Sequence, residues 1–151
     1  MTGPRASIVA ALADEPSADV GFSQTHLPGV LRATKHALTP LQQAEYQCVV
    51  VIDGWGFPGN LRWALSSGAV PLIASQQHVG FFHHHFVPQK HYVPLRMDGS
   101  DAAEAVRRVV DPRNAHEMQT LLKRLATSVA QHFAPAKLRA GVRKAVCEEG
   151  V

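Results

Sequence analysis

The sequence is short of the residues that mark several large classes of protein. Only two of its 151 residues are cysteine, so a disulfide framework cannot hold the fold together. Charged residues make up 18% of the chain, below the roughly 25% of an average domain, and hydrophobic residues make up 46%. No apolar run approaches the ~18 residues of a membrane-spanning helix. The sequence therefore excludes a disulfide-rich, a disordered or a membrane-spanning chain, and it favours one globular domain.

Signatures of two further classes are also missing. The nucleophile motif G-x-S-x-G does not occur and no Ser-His-Asp order can be recognised, so there is no basis for a nucleophilic hydrolase. The net charge is only +3, and most lysines and arginines fall in the last third of the chain. That placement is typical of solvated helix faces rather than of a basic patch that binds nucleic acid. We therefore predict no nucleic-acid partner.

Nine histidines are many for this length, and three of them, His83, His84 and His85, are adjacent. On a helical turn, adjacent side chains point ~100° apart and cannot converge on one ion. Metal-binding helices use spacings such as H-x-x-x-H instead, and no cluster of cysteines or aspartates lies beside these histidines. We therefore predict no bound metal.

The clearest pattern lies in the middle of the chain. Residues 48–52 and 69–74 are apolar, β-branched runs, typical of strands buried in a parallel sheet. A glycine-rich loop over 53–59 and a helix over 60–68 join them. A right-handed crossover is the default for such a strand–loop–helix–strand unit. The pattern indicates an α/β, Rossmann-like, three-layer domain with a short parallel sheet.

The flanking segments complete this prediction. A third short strand is predicted at 91–93, helices at 101–110 and 113–133, and a helical C-terminal tail at 136–147. Residues 1–40 are the least regular segment, and residues 41–151 form the predicted domain.

Two short motifs stand out near the N-terminal end. Arg5 precedes the mostly apolar run 6–13, which is short for a secretory signal and favours a helix ended by Pro16. Thr39 with Pro40 and Gln42 forms a capping box with a proline at the first helical position, which predicts a helix start.

The glycine-rich loop is the candidate binding site. Gly54, Gly56 and Gly59 fit the spacing G-x-G-x-x-G between a strand and a helix, where the backbone can approach a phosphate. A nicotinamide-dinucleotide site needs an acidic residue about 20 positions later, and residues 75–77 are Ser-Gln-Gln. We therefore predict a phosphate-bearing ligand. A dinucleotide-dependent oxidoreductase fragment and a glycine turn that only packs the helix on the sheet remain the alternatives.

The order of motifs over residues 46–110 resembles glycosyltransferase family 90, which includes fungal capsule-associated xylosyltransferases and animal protein O-glucosyltransferases. The sequence D-G-W-G at 53–56 is similar to the family's D-G-x-G, and S-G-A-V at 67–70 is similar to its C/S-G-S-V. The most specific match is H-Y-V-P at 91–94 with Pro88, which is similar to P-W-x-H-Y-V-P.

The resemblance implies the second, donor-binding half of a glycosyltransferase with two Rossmann-like halves. It implies transfer of glucose or xylose from a nucleotide sugar (UDP-glucose or UDP-xylose) to a protein or glycan hydroxyl, without a bound metal or other cofactor. By this resemblance the donor-binding residues would be Gly54, Trp55, Gly56, Phe57, Pro58, Gly59, Asn60 and Arg62.

The resemblance also implies what is missing. The family's catalytic carboxylate lies in the first half, so we expect a partial enzyme and nominate no catalytic residue. A non-catalytic nucleotide-binding remnant is the alternative. The family usually places serine and arginine just before the helix, where this chain has Pro58 or Gly59 and then Asn60, and Gln89 replaces a tryptophan. Eukaryotic relatives work in the secretory lumen, but this sequence shows no convincing signal peptide.

Overall fold

The computed structural model describes residues 3–22, 35–54, 58–74, 78 and 80–134. Within these ranges the helices are α1 (Pro4–Leu12), α2 (Pro40–Gln43), α3 (Leu61–Ser66), α4 (Ala102–Val110) and α5 (Ala115–His132). The strands are β1 (Cys48–Val51), β2 (Val70–Ala74) and β3 (Val93–Leu95). Short 3-10 turns occupy His83–His85 and Pro112–Asn114.

The three strands form one parallel sheet in the order β1-β2-β3. Cys48 of β1 pairs with Val70 of β2, and Leu72 of β2 pairs with Val93 of β3, so all three strands run in the same direction. Because side chains alternate along a strand, β2 directs Leu72 to one face of the sheet and Ile73 to the other. The predicted short parallel sheet is confirmed.

Helices cover both faces of this sheet. On one face, Ile8 and Leu12 of α1 and Val106 of α4 pack in the cluster that contains Leu72. The other face carries a second cluster of β1, β2, α3 and α5, formed by side chains that include Val51, Leu61, Leu65, Ile73 and Leu125. The predicted three-layer, Rossmann-like α/β arrangement is therefore confirmed, and α5 supplies its C-terminal helix.

Pro71 lies in the central strand without removing a bond between strands. The amide of Val70 donates to the carbonyl of Gln47, beside β1, at 2.9 Å. In a parallel strand, successive amides point to opposite sides, so the Pro71 nitrogen faces β3. Pairing with β3 begins only one residue later, at Leu72, so no N–H is required at Pro71.

The third strand begins two residues later than the predicted 91–93. Tyr92 forms only an isolated bridge with Pro88, and pairing with β2 starts at Val93. The side chain of His91 is used in a turn, where its Nδ1 accepts a hydrogen bond from the Val87 amide at 2.9 Å. The strand therefore starts after this turn, and Pro94 is tolerated because β3 is an edge strand.

Both N-terminal motifs form the predicted structures. The run 6–13 lies largely in α1, whose side chains Ile8 and Leu12 are each 1% exposed. At α2 the Thr39 hydroxyl accepts from the Gln42 amide at 3.3 Å, and the Gln42 side chain accepts from the Thr39 amide at 2.9 Å. The capping box is thus confirmed. The helix predicted at 136–147 lies outside the described residues, and the division of the chain at residue 40 stays a prediction.

Candidate functional site

The carboxyl ends of the three parallel strands lie along one edge of the sheet. β1 ends at Val51, β2 at Ala74 and β3 at Leu95. In open α/β sheets, ligands bind in the crevice outside the carboxyl ends of the strands. The predicted glycine loop follows β1 directly, so the fold places the start of this loop where a ligand is expected.

Asp53 connects the segments that follow β1 and β2. Its side chain is buried, and its Oδ2 accepts a hydrogen bond from the backbone amide of His78 at 3.1 Å. The same oxygen lies 3.4 Å from His78 Nδ1. This buried carboxylate therefore links the end of β1 to His78, which follows β2.

The start of α3 carries three of the predicted binding residues. Pro58 is fully buried, whereas Gly59 and Asn60 are exposed. Asn60 occupies the N-cap position, but its side-chain amide makes no capping bond to the helix. Backbone bonds instead begin the helix, with the Leu61 amide donating to the Pro58 carbonyl at 3.0 Å.

A cavity of about 340 Å³ opens between the end of β1 and the start of α3. We call it the β1-end cavity, and the described residues that line it are Arg5, Val50, Ile52, Gly59 and Asn60. Arg5 also lies against Gly54, because a Cβ atom added to that glycine would be 3.0 Å from Arg5 Nη2. Three predicted residues, Gly54, Gly59 and Asn60, are thus gathered around one arginine.

Of the four remaining predicted residues, the structure describes only Arg62. Trp55, Gly56 and Phe57 lie outside the described residues. The Arg62 guanidinium lies 5.4 Å from the centroid of the Phe133 ring, a cation–π contact between α3 and the end of α5. Arg62 is not among the described residues that line the β1-end cavity.

Arg5 was not among the predicted site residues. It comes from the first turn of α1, far from the glycine loop in sequence, and no local pattern links the two. The sequence predicted a helix there but gave no indication of where that helix would pack. Its position depends on α1 packing against α4 and the sheet through Ile8 and Leu12.

A larger cavity, of about 670 Å³, lies between α1 and β1. We call it the α1–β1 groove, and its lining includes Leu12, Tyr46 and Cys48. Val50 and Ile52 line this groove and the β1-end cavity alike, so the two spaces adjoin. Burial raises the pKa of the Cys48 thiol to about 11, which keeps it protonated at neutral pH.

Two of the histidines between β2 and β3, His83 and His91, accept hydrogen bonds from backbone amides. His83 Nδ1 accepts from the Gly80 amide at 2.6 Å, as His91 Nδ1 does from Val87. Burial lowers the pKa of both imidazoles. Within the described ranges, no three His, Cys, Asp or Glu side chains group together in a way that could hold a metal ion. The absence of a metal from the reaction stays a prediction.

The fold and this edge define a Rossmann-like α/β domain with a candidate ligand site at the carboxyl ends of its strands. A sequence model of glycosyl transferase family 90 matches residues 24–141, which is most of the chain. The chain therefore belongs to glycosyl transferase family 90, and the resemblance seen in its motifs is confirmed. A search of curated proteins found no match. In the described part of the chain, no helix is long and apolar enough to cross a membrane.

Proposed function

We propose that this chain binds a nucleotide-sugar donor at the carboxyl edge of its sheet and takes part in transferring glucose or xylose to a hydroxyl of a protein or glycan. The match to glycosyl transferase family 90 over residues 24–141 carries this proposal. The matched stretch contains all three strands and the described start of α3. The match favours glycosyl transfer over the dinucleotide-dependent alternative.

We place the diphosphate of the donor in the β1-end cavity. Gly59 adds no side chain to this space, and nothing lies within 4 Å of a Cβ atom placed on it. The side-chain amide of Asn60 makes no capping bond to the helix. A phosphate group can therefore approach the backbone closely there and meet polar donors. Of the donor-binding residues that the resemblance implies, which are Gly54, Trp55, Gly56, Phe57, Pro58, Gly59, Asn60 and Arg62, we place Gly54, Gly59 and Asn60 at this cavity.

We assign Asp53 a positioning role rather than a catalytic one. A general base must reach the proton of the acceptor hydroxyl. Asp53 is only 5% exposed, and its Oδ2 is bonded to the His78 amide. Among the described residues we identify no catalytic group. We also propose that the reaction uses no bound metal, so protein groups would have to stabilise the charge that develops on the leaving diphosphate.

Titration calorimetry of the full chain with uridine diphosphate tests the binding step. We expect saturable binding that Gly59→Val abolishes, because the branched side chain would occupy the β1-end cavity. Ala126→Val, on an exposed position of α5, adds the same kind of bulk elsewhere and should bind like the wild type. Absence of binding to the wild type, or equal binding by Gly59→Val, would contradict the proposal.

Hydrolysis of the donor separates an enzyme from a binding module. UDP-glucose and UDP-xylose are incubated with the full chain, and release of uridine diphosphate is measured. Turnover of either sugar nucleotide supports a catalytic role and indicates which sugar is used. Tight binding without turnover supports a binding module, which is either a non-catalytic nucleotide-binding domain or a donor-binding half that needs a separate catalytic half.

A further inference from the structure

Arg5 is the only charged side chain among the described residues that line the β1-end cavity. It belongs to the first turn of α1, yet its guanidinium lies over Gly54 at the end of β1. A Cβ atom added to Gly54 would be 3.0 Å from Arg5 Nη2 and 3.4 Å from Arg5 Cζ. The glycine thus leaves room for the guanidinium, and the fold brings a cation to the carboxyl edge of the sheet.

No carboxylate among the described residues forms an ion pair with this cation. Asp53, next to Gly54 in sequence, directs Oδ2 to His78. Glu15, which follows α1, pairs instead with Arg107 of α4 at 3.0 Å. Arg5 is exposed, and its guanidinium carries five N–H donors in a planar fork. An arginine at a cavity, with no counter-ion among the described residues, suits a phosphate group, which it can bind in bidentate fashion.

The other arginine close to the loop has a different contact. Arg62 lies over the Phe133 ring at 5.4 Å and is absent from the described lining of the β1-end cavity. The cavity therefore receives its positive charge from α1 rather than from α3.

We propose that Arg5 is a donor-binding residue whose guanidinium donates hydrogen bonds to the diphosphate oxygens of the nucleotide sugar. This inference rests on the proposed function, because it takes the ligand of the β1-end cavity to be a nucleoside diphosphate. Arg5 lies outside the matched stretch 24–141, so the family match does not supply it. The N-terminal helix would then be part of the binding site as well as part of the core.

Calorimetry with uridine diphosphate on wild type and Arg5→Ala tests this role. We expect the dissociation constant of Arg5→Ala to rise about ten- to hundredfold, as for the loss of a charge-assisted hydrogen-bonding group. Arg5→Lys keeps the charge but loses the fork and should give an intermediate value. Arg124→Ala is the matched control, because it removes the same charge from an exposed position of α5 rather than from the cavity. Its dissociation constant should stay within about twofold of the wild-type value.

Two further measurements separate a phosphate contact from an effect on the fold. Uridine, which has no phosphate, should bind wild type and Arg5→Ala equally, and the two proteins should unfold at the same temperature.

The outcomes distinguish this inference from the proposed function. If the wild type does not bind uridine diphosphate, the proposed function fails and the role of Arg5 fails with it. If the wild type binds and Arg5→Ala binds within about twofold of it, only the role of Arg5 is overturned. Equal weakening of uridine and uridine diphosphate binding by Arg5→Ala would also overturn it.

Discussion

At Gly54 the lack of a side chain decides what can occupy the end of β1. The G-x-G-x-x-G spacing predicted a close approach of backbone to phosphate, and the described structure adds a different reason for this glycine. Gly54 is not among the described glycines with a positive φ, so its conformation does not require glycine. A Cβ atom on Gly54 would lie 3.0 Å from Arg5 Nη2, so the guanidinium would have to shift by a few tenths of an ångström. Sequence spacing could identify the loop but not this partner.

Three histidines with lowered pKa values make the stability of the domain depend on pH. Burial lowers the pKa of His83, His85 and His91, so the unfolded chain binds more protons than the folded one near the ordinary histidine value of about 6.5. Their contribution is therefore fully present above that value and is lost as the pH falls through it towards the lowered pKa values. Urea unfolding should show a lower free energy of unfolding at pH 5.5 than at pH 7.5.

The variants His83→Ala and His91→Ala provide the check on this assignment. Each removes one neutral acceptor of a backbone amide, so each should reduce the free energy of unfolding at pH 7.5 by about 1–3 kcal/mol. The double variant should also show a shallower dependence on pH between 5.5 and 7.5. A wild-type stability that is constant or rises as the pH falls over this range would contradict the account.

Among the elements, α1 links the N-terminal segment to the domain. It begins at Pro4, outside the stretch that matches the family, and buries Ile8 and Leu12 against α4 and the sheet. Its packing also places Arg5 at the β1-end cavity. We therefore treat α1 as an integral helix of this fold.

Leucine-to-alanine variants measure how much α1 contributes. Leu12 is 1% exposed and Leu41, in α2, is 82% exposed. Leu12→Ala should lower the free energy of unfolding by about 2–5 kcal/mol through lost burial and the cavity it leaves. Leu41→Ala, the matched control, should change it by less than about 0.5 kcal/mol. Chemical denaturation that gives similar values for both variants would show that α1 does not pack as described.

The elements that the sequence predicted best are those with purely local signals. The capping box at Thr39 and the apolar run that became β1 each depend on a few neighbouring residues, and both formed as expected. The start of β3 was wrong by two residues because the side chain of His91 bonds the Val87 amide. That bond depends on how the preceding turn folds, and strand periodicity contains no information about it.

For the whole molecule, the helices on both faces of a parallel sheet leave its carboxyl edge as the natural place for a ligand. The alternation of buried strand and helix predicted this architecture, and the motif order predicted the family that the match over 24–141 established. The composition of the β1-end cavity could not be predicted, because Arg5 reaches it only through the packing of α1. We propose that this cavity, rather than the adjoining α1–β1 groove, holds the diphosphate of the donor.

Titration of the isotope-labelled full chain with uridine diphosphate, followed by amide chemical shifts in nuclear magnetic resonance, tests that claim most directly. The largest shift changes should fall on Ile52, Gly54, Gly59 and Asn60, together with the side-chain N–H of Arg5. Shift changes centred on Tyr46 and Leu12, in the α1–β1 groove, would contradict the location of the diphosphate. A spectrum that uridine diphosphate leaves unchanged would contradict donor binding altogether.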